Sequence, residues 1–451
     1  MDDKMSALGV SWFQACMVIF VLLVYAADGA EVTVMSLVAR ELGVKFSLQG
    51  WQTGLLGSSV YSGMFMGGLG SGPIADTKGR SFTLIGATLL ISVFGVLSAY
   101  APTFGLLCLA RFIAGIGMGA SLPVSSSLLQ ETVPYAWKGA LACLVFAGFN
   151  IGEFFAARMG VFAFLRPDPS TWLFLVAALP AIVTYAISLA VPESPRFLAS
   201  RGKAEEVANW FKRAAGLNRK PIEEVFPEGV TEGSKKLCYA PKEVKSGGKR
   251  DAIRRKLTDI FAPGGLRLRT SVLWILWMAA NSCFYGMIFS LPGALRHVKA
   301  VAAQPAFDVA RGISQVSAYQ TIAFLLYMPL VALGVKYKKL FPATFVGAFA
   351  AFASVLLAIG GGALTPARLV LSLAFAKFFY NGIFMMLYPL TGTSYPTAIR
   401  ATGVGLAGTV GRICTIMVAP VCTRLQEISP LLPYQAFTGI TALAFLASLL
   451  L

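Results

Sequence analysis

Long apolar segments recur along the whole chain and limit its fold more than any other feature. A helix needs about 20 mostly apolar residues to cross the hydrocarbon core of a bilayer, and twelve segments of this kind are present. In chain order they are Phe13–Val38, Trp51–Ala75, Phe82–Tyr100, Phe104–Leu128, Ala140–Phe164, Trp172–Ala190, Val272–Leu291, Ile313–Val335, Ala343–Gly361, Leu369–Leu390, Val404–Cys422 and Tyr434–Leu451. The sequence therefore predicts an all-α membrane protein with twelve transmembrane helices.

Composition supports a membrane protein and argues against a nucleic-acid partner. Only 13% of the residues are charged and 56% are hydrophobic, whereas about 25% of a soluble domain is charged. The net charge of +17 is concentrated, because almost half of the 38 Lys and Arg lie within residues 193–269. No nucleic-acid recognition module accompanies that charge.

The same hydrophilic segment divides the spans into two sets of six. We predict an N-terminal six-helix bundle (1–191), a cytoplasmic linker with an amphipathic helix (192–269) and a C-terminal six-helix bundle (270–451), with a central cavity between the bundles. In the linker segment from Arg196 to Arg213, Val207, Trp210 and Phe211 stand at helical spacing among charges, which is typical of an amphipathic helix. Basic residues are denser in the even-numbered connections, and this predicts that both termini are cytoplasmic.

Three charged residues in the first half are predicted to meet inside the membrane. Asp28 and Glu31 are one helical turn apart in the first span, and Arg111 lies in the fourth. Glu31 is about 13 Å and Arg111 about 10 Å from the outer ends of their spans, at 1.5 Å per residue. A carboxylate there could take up a proton when it is unpaired and release it when Arg111 returns. Protonation would then be coupled to conformation. The alternative is a static buried ion pair.

The fifth span carries Asn150 and Glu153 on one helical face. They are expected either to line the cavity or to provide a second proton site, in which case Glu153 takes part in coupling. The alternative is that Glu153 pairs with Arg158 or Arg111.

Two cations in the second half are candidates for binding substrate. Lys377 and Arg412 lie near the middle of the tenth and eleventh spans, with no acidic residue in the spans of that half. An unpaired cation at this depth should face a cavity and bind an anion. Arg offers a planar fork for a carboxylate. Neighbouring polar and aromatic residues are expected to add hydrogen bonds and stacking: Asn150, Asn281, Tyr285, Tyr380 and Asn381. The alternative is that Lys377 snorkels and Arg412 bonds helix carbonyls.

Several motifs resemble those of the major facilitator superfamily. Gly72-Pro-Ile-Ala-Asp76-Thr-Lys-Gly79-Arg80 is similar to its signature loop between spans two and three, and Pro192-Glu193-Ser194-Pro195-Arg196 follows span six as in its sugar and organic-ion porters. Ala27-Asp28-Gly29-Ala30-Glu31 looks most like synaptic-vesicle-protein relatives and aromatic-acid/proton symporters. Ala110-Arg111-Phe112 and Tyr395-Pro396-Thr397 with Arg400 fit the same group.

Charges at the helix ends of these motifs are expected to form a conformational latch. Opposite charges there can hold two bundles together and release them when they rock apart. The predicted latch consists of Asp76, Gly79, Arg80, Glu131, Arg196 and Arg400. The alternative is that Lys78 and Arg80 only set the topology.

The sequence thus predicts a secondary active transporter that moves a small organic anion, such as a carboxylate-bearing metabolite or vitamin, by alternating access with proton coupling. One alternative is a uniporter of a neutral or cationic solute, a sugar or an organic cation, bound by Asp28 or Glu31. Another is a transceptor or binding protein that does not transport. No nucleophile–base set or metal-ligand spacing is present, so no enzyme activity, cofactor or metal is expected. The expected partners are the substrate, protons and the lipid bilayer of a plasma or organelle membrane, with the chain as a monomer.

Overall fold

The computed structural model describes most of the chain. Its described ranges are residues 1–238, 261, 265–297, 305–332, 337–360, 366–395 and 400–451. Within them the side chains at 142–143, 297, 305–307, 322–332, 337–339, 366, 388–389, 392–393 and 400–402 lie outside the description.

All regular structure in the described ranges is helical. The helices before residue 239 are α1 (Asp2–Leu8), α2 (Trp12–Lys45), α3 (Gly50–Lys78), α4 (Arg80–Ala99), α5 (Phe104–Thr132), α6 (Lys138–Ala163), α7 (Pro169–Ser188), α8 (Pro195–Ser200), α9 (Ala204–Leu217), α10 (Ile222–Val225) and α11 (Val230–Leu237). The later helices are α12 (Leu266–His297), α13 (Pro305–Ala332), α14 (Tyr337–Gly360), α15 (Pro366–Ser394), α16 (Arg400–Ile428) and α17 (Leu432–Ser448).

Each predicted apolar segment overlaps one long helix. Residues 333–335 and 361, which end two of the predicted segments, lie outside the described residues. In the described part of the chain, nine helices are long and apolar enough to cross a membrane; α3, α13 and α17 are the long helices outside that set. Several helices extend beyond the ends of their apolar segments. For example, α2 continues beyond Val38 to Lys45. Backbone hydrogen bonding continues a helix into the polar interface, where side chains need not be apolar.

We describe the long helices as two groups according to their place in the chain. In the first, α2–α7, the closest packing joins α3 to α5, α2 to α6 and α4 to α5; in the second, α12–α17, it joins α12 to α16 and α14 to α15. Contacts of α3 with α16 and of α6 with α13 join the groups. Glycines bring α3 and α5 close together, since a Cβ at Gly63 would lie 2.0 Å from the Phe112 carbonyl oxygen.

The linker helices pack on protein. Gly202, at φ +72°, separates α8 from α9, so the predicted amphipathic helix is divided in two. Val207 and Phe211 are buried, and the Trp210 ring lies 5.1 Å from the ring of Phe13 on α2. The apolar face of α9 is therefore covered by the protein.

Helix α1 also lies on the linker helices. Asp2 accepts hydrogen bonds from Lys138 and Arg196, and Lys4 pairs with Glu228 at 2.8 Å. We call the end of the molecule that carries α1 and α8–α11 the linker face, and the opposite end the far face. Helix α6 runs from the linker face to the far face, and alternation of the long helices makes α15 run from the far face to the linker face.

Candidate functional site

A cluster of charges surrounds Arg80 at the linker face. The Arg80 guanidinium lies 3.1 Å from an Asp76 oxygen and 3.2 Å from a Glu131 oxygen. The Ser194 hydroxyl donates to Glu131. Three of the predicted latch residues are therefore in contact, and Ser194 ties them to the start of α8.

Glu193 caps α4 in the same cluster. Its carboxylate accepts from the backbone N–H of Arg80 at 2.8 Å and of Ser81 at 3.2 Å, which satisfies N–H groups that a helix start leaves unpaired. Gly79 has φ +108°, and a Cβ there would lie 2.0 Å from a Glu193 oxygen. Glycine is thus required at this turn. This role of Glu193 was not predicted from the sequence.

The other two latch residues lie elsewhere. Arg196 donates to Asp2 on α1 instead of joining the Arg80 cluster. The side chain of Arg400 is outside the described residues. The described contacts of the predicted latch residues lie within the first group and the linker. They therefore hold the linker to the first group.

The first membrane ion pair joins Glu31 to Arg111, as their matched depths predict. The Arg111 Nη1 to Glu31 Oε2 distance is 2.6 Å, and each side chain is 1% exposed. Arg111 also donates to the Ser98 hydroxyl at 2.8 Å and to the Phe94 carbonyl at 3.2 Å. The pair lies entirely within the first group.

Asp28 is separate from that pair. It is fully buried and accepts a hydrogen bond from the Ser121 hydroxyl at 3.2 Å. No cation of the described residues lies within ion-pair distance of it. The predicted three-residue group is therefore a pair with a second carboxylate nearby.

The second membrane ion pair crosses between the groups. Lys377 Nζ lies 2.9 Å from both oxygens of Glu153, and the two side chains are 2% and 1% exposed. The expectation that Lys377 is unpaired is wrong, because its partner comes from the other half of the chain. Neither Arg111 nor Arg158 is the partner of Glu153; Arg158 is exposed and lies over the Phe162 ring.

An uncharged contact also joins the two groups, beside the Glu153–Lys377 pair. The Gln320 side-chain amide on α13 donates to the Asn150 side-chain oxygen at 2.6 Å. Asn150 and Glu153 thus share a face, as predicted, and that face contacts the second group. Gln320 was missed, because a single amide in an apolar segment gives no distinct signal.

Arg412 borders a small cavity between the groups. The cavity measures about 50 Å³, enough for a few waters. No carboxylate of the described residues lies within ion-pair distance of Arg412. One guanidinium nitrogen lies where a Cβ at Gly68 would be 2.1 Å away. The lining consists of Tyr61, Met64, Leu122, Trp277, Asn281, Tyr285, Phe384, Gly408, Arg412 and Thr415.

A second cavity of about 60 Å³ has mainly aromatic walls. Leu122, Tyr285 and Phe384 line both cavities, so the two adjoin. The lining of the second is Tyr25, Leu122, Phe146 and Phe149 from the first group and Phe284, Tyr285, Asn381 and Phe384 from the second. Together they form a space with a guanidinium at one end and aromatic rings at the other.

Four of the seven predicted substrate-binding residues border this space: Arg412, Asn281, Tyr285 and Asn381. Lys377 and Asn150 contact the other group instead, and Tyr380 lies within its own group. The Asn281 amide donates to the Trp277 carbonyl at 2.8 Å and its oxygen accepts from Thr415 at 3.2 Å. Tyr380 is wrong as a cavity residue: its hydroxyl bonds Thr441 at 2.6 Å inside the second group. It follows Lys377 by three residues, and the cavity face of α15 continues instead through Asn381.

Comparisons with known proteins agree with this architecture. A sequence model of the family described as "Sugar (and other) transporter" matches residues 9–450. The synaptic vesicle 2-related protein of Pongo abelii is 28% identical over 471 residues, 99% of this chain and 79% of that protein. The 4-hydroxybenzoate transporter PcaK of Pseudomonas putida is 28% identical over 413 residues, 90% of this chain and 85% of PcaK.

Other relatives extend the comparison. The niacin transporter NiaP of Acinetobacter baylyi is 28% identical over 406 residues, 88% of this chain and 84% of NiaP. A partially occluded inward-open structure of the xylose transporter XylE from E. coli superposes with a TM-score of 0.73 at 17% identity, covering 96% of this chain and 98% of XylE. That likeness concerns the fold alone.

The family match spans almost the whole chain, and the relatives and the fold are those of transporters instead of enzymes. The chain therefore belongs to the sugar (and other) transporter family of the major facilitator superfamily.

Proposed function

We propose that the protein is a secondary active transporter of a small organic anion, a carboxylate attached to an aromatic ring, and that protons drive it. The observation that carries the proposal is the Arg412 side chain, which borders a cavity between the groups beside aromatic walls.

Arg412 supports an anionic substrate. A buried or half-buried guanidinium needs a counter-charge, and its planar fork suits a carboxylate. Asn281 and Thr415 are fixed by their mutual hydrogen bond beside Arg412. A carboxylate that enters this end would meet one charge and two polar groups.

The aromatic walls support a ring beside that carboxylate. The Phe149 and Phe284 rings lie 5.8 Å apart on opposite groups, and offset or edge-on ring packing is favourable. The relatives PcaK and NiaP are named as transporters of 4-hydroxybenzoate and niacin. Both compounds carry one carboxyl group on one aromatic ring.

Asp28, Glu31 and Arg111 are the proposed coupling residues. A carboxylate at this depth either pairs with a cation or takes a proton. Glu31 holds Arg111 at 2.6 Å while Asp28 has a hydroxyl partner. A proton that enters this group would change which carboxylate Arg111 holds, and the helix contacts would change with it.

Alternating access is the proposed mechanism. The two groups would act as six-helix bundles, residues 1–191 and 270–451, that rock about the cavity. All twelve long helices would cross the membrane, and the basic linker face would be cytoplasmic. The Arg80 cluster would hold the linker against the first bundle during that motion.

Uptake into proteoliposomes tests the proposal. We expect uptake of 4-hydroxybenzoate or nicotinate to accelerate with an inward proton gradient and to be lost in Arg412→Gln. Arg158→Gln is the matched control, since that arginine is exposed on α6. Uptake of xylose unaffected by Arg412→Gln would overturn the anion proposal in favour of a neutral solute. Ligand binding without flux of any substrate would favour a transceptor.

A further inference from the structure

We propose that the Glu153–Lys377 ion pair is a gate that closes the substrate cavity on the far-face side and breaks each time the cavity opens there. This inference rests on the proposed transport function and adds to it the residues that separate the cavity from the far face.

Position on the two helices places the pair beside the cavity. Phe149 lies four residues before Glu153 on α6, and Asn381 lies four residues after Lys377 on α15. Phe149 and Asn381 both line the aromatic cavity. Because α6 runs toward the far face and α15 runs away from it, the ion pair lies one turn, about 6 Å, beyond the cavity on the far-face side.

The pair also joins the two groups directly. Lys377 Nζ contacts both Glu153 oxygens at 2.9 Å, with both side chains 2% exposed or less. Closer to the middle of the same interface, Gln320 donates to Asn150 at 2.6 Å. A far-face opening that separates α6 from α15 must therefore break this pair.

Two further contacts close the same side between α3 and α16. The Ser58 hydroxyl donates to the Ile416 carbonyl at 2.6 Å, and a Cβ at Gly54 would lie 2.4 Å from the Pro420 Cα. Both glycine and serine lie in the far-face third of α3. These contacts are neutral, whereas the strength of the ion pair depends on charge.

Burial makes the pair able to switch. While the groups are closed, neither charge can lose its partner without being left uncompensated in a low-dielectric interior. When the far face opens, water reaches both charges and replaces the contact. The pair thus favours the closed arrangement when dry and loses that preference when hydrated.

Substrate binding would act on the pair through the cavity walls. The two adjoining cavities measure about 50 and 60 Å³. A ring that enters between Phe149 and the α15 wall would push α6 away from α15. The gate would therefore respond to the size of what the cavity contains.

A distance measurement across the far face tests the gate without substrate. Leu165 follows α6 and Ile428 ends α16, and both are about two-thirds exposed (67% and 66%). Both would be replaced by p-acetylphenylalanine and spin-labelled, and pulsed electron–electron double resonance would be recorded in lipid nanodiscs. We expect the neutral double variant Glu153→Gln/Lys377→Met to increase the long-distance population several-fold over the parent.

Matched variants separate a gate from a general loss of charge. Lys203→Gln/Glu206→Gln removes an exposed pair on α9 (2.8 Å) and should leave the distances unchanged. The reversed pair Glu153→Lys/Lys377→Glu should return the distribution toward that of the parent. Glu153→Asp shortens one side chain of the pair while keeping both charges, and should shift the distance distribution by an intermediate amount. It replaces the neutral double variant in the test if that variant does not fold.

Unchanged distances in the neutral double variant, or in Glu153→Asp if that is the one that folds, would overturn the gate. That result would leave the proposed anion transport untouched, because the distances are measured without substrate. Conversely, a distance shift combined with absent anion uptake in the parent would keep the gate and refute the proposed substrate.

Discussion

The two buried membrane ion pairs are alike in chemistry and opposite in placement. Glu31–Arg111 lies within one helix group, at 2.6 Å, and Glu153–Lys377 joins the two groups, at 2.9 Å. Arg111 is held further by Ser98 and Phe94. Under the proposed alternating access, a pair inside one group would survive the motion, whereas a pair between groups would break. Placement thus leads us to propose different roles for two contacts that look the same.

The largest expected effect comes from breaking the pair inside the first group. Arg111→Gln leaves Glu31 buried without its cation, which costs about 3–5 kcal/mol of unfolding free energy. We expect a marked fall in thermal stability and loss of proton-driven uptake.

Nanoscale differential scanning fluorimetry and uptake with and without a proton gradient would measure both effects. Arg158→Gln, an exposed cation on α6, is the control and should change neither. An Arg111→Gln protein as stable as the parent would contradict the role given to this pair.

Removing one side of the pair between the groups should cost less. Lys377→Met leaves Glu153 unpaired, and the loss falls toward the lower end of about 3–5 kcal/mol, since water can enter between separating groups. Adding Glu153→Gln should restore most of the stability, because the neutral pair needs no counter-charge. Thermal unfolding of both single variants and the double variant gives the coupling energy between the two residues. Losses of stability that simply add would argue against a direct interaction.

The contact of Gly68 with Arg412, also between the groups, can be broken by one methyl group. A Cβ at Gly68 on α3 would lie 2.1 Å from a guanidinium nitrogen of Arg412, so Gly68→Ala should displace the guanidinium from the cavity. Overpacking of this kind costs about 1–3 kcal/mol, and we expect roughly tenfold weaker binding of 4-hydroxybenzoate in isothermal titration. Gly70→Ala, where a Cβ would meet nothing within 4 Å, should bind as the parent does.

The smallest expected effect concerns Asp168, outside the membrane and within the first group. The Thr171 hydroxyl donates to Asp168 and holds the pKa of that carboxyl below its usual range. A lowered pKa in the folded state means that the carboxylate stabilises the protein above its unfolded pKa and that the stabilisation is lost as pH falls through the folded value.

Asp168→Ala removes an N-cap of α7 and should cost about 1 kcal/mol at pH 7. The difference from the parent should shrink below about pH 4. Thermal unfolding at pH 7 and pH 3.5 measures it, with the exposed Asp3→Ala as control. A difference that does not change with pH would remove the carboxylate from the explanation.

The sequence predicted contacts within one half better than contacts between halves. Depth along two spans was enough to place Glu31 against Arg111, because spans of one group share the membrane thickness as a common scale. The partner of Lys377 required knowing that α6 and α15 face each other, and one amphipathic pattern does not carry that information. Helix ends were short by several residues, since polarity marks the membrane boundary and not the end of hydrogen bonding.

The direction in which a side chain points from its helix was the other property that the sequence predicted poorly. Asn381 borders the aromatic cavity, while its neighbour Tyr380 bonds Thr441 within the second group. One residue along a helix changes direction by about 100°. Position in a span therefore predicts depth well and direction poorly when both sides of the helix are apolar.

The aromatic cavity takes four lining residues from each half of the chain. Neither half alone encloses a ligand, whatever its own stability. If residues 1–191 and 270–451 were produced as separate polypeptides, substrate recognition would return only on their reassembly in the membrane. Ligand binding would then report the association of the two polypeptides, and the substrate would act as the molecule that joins them.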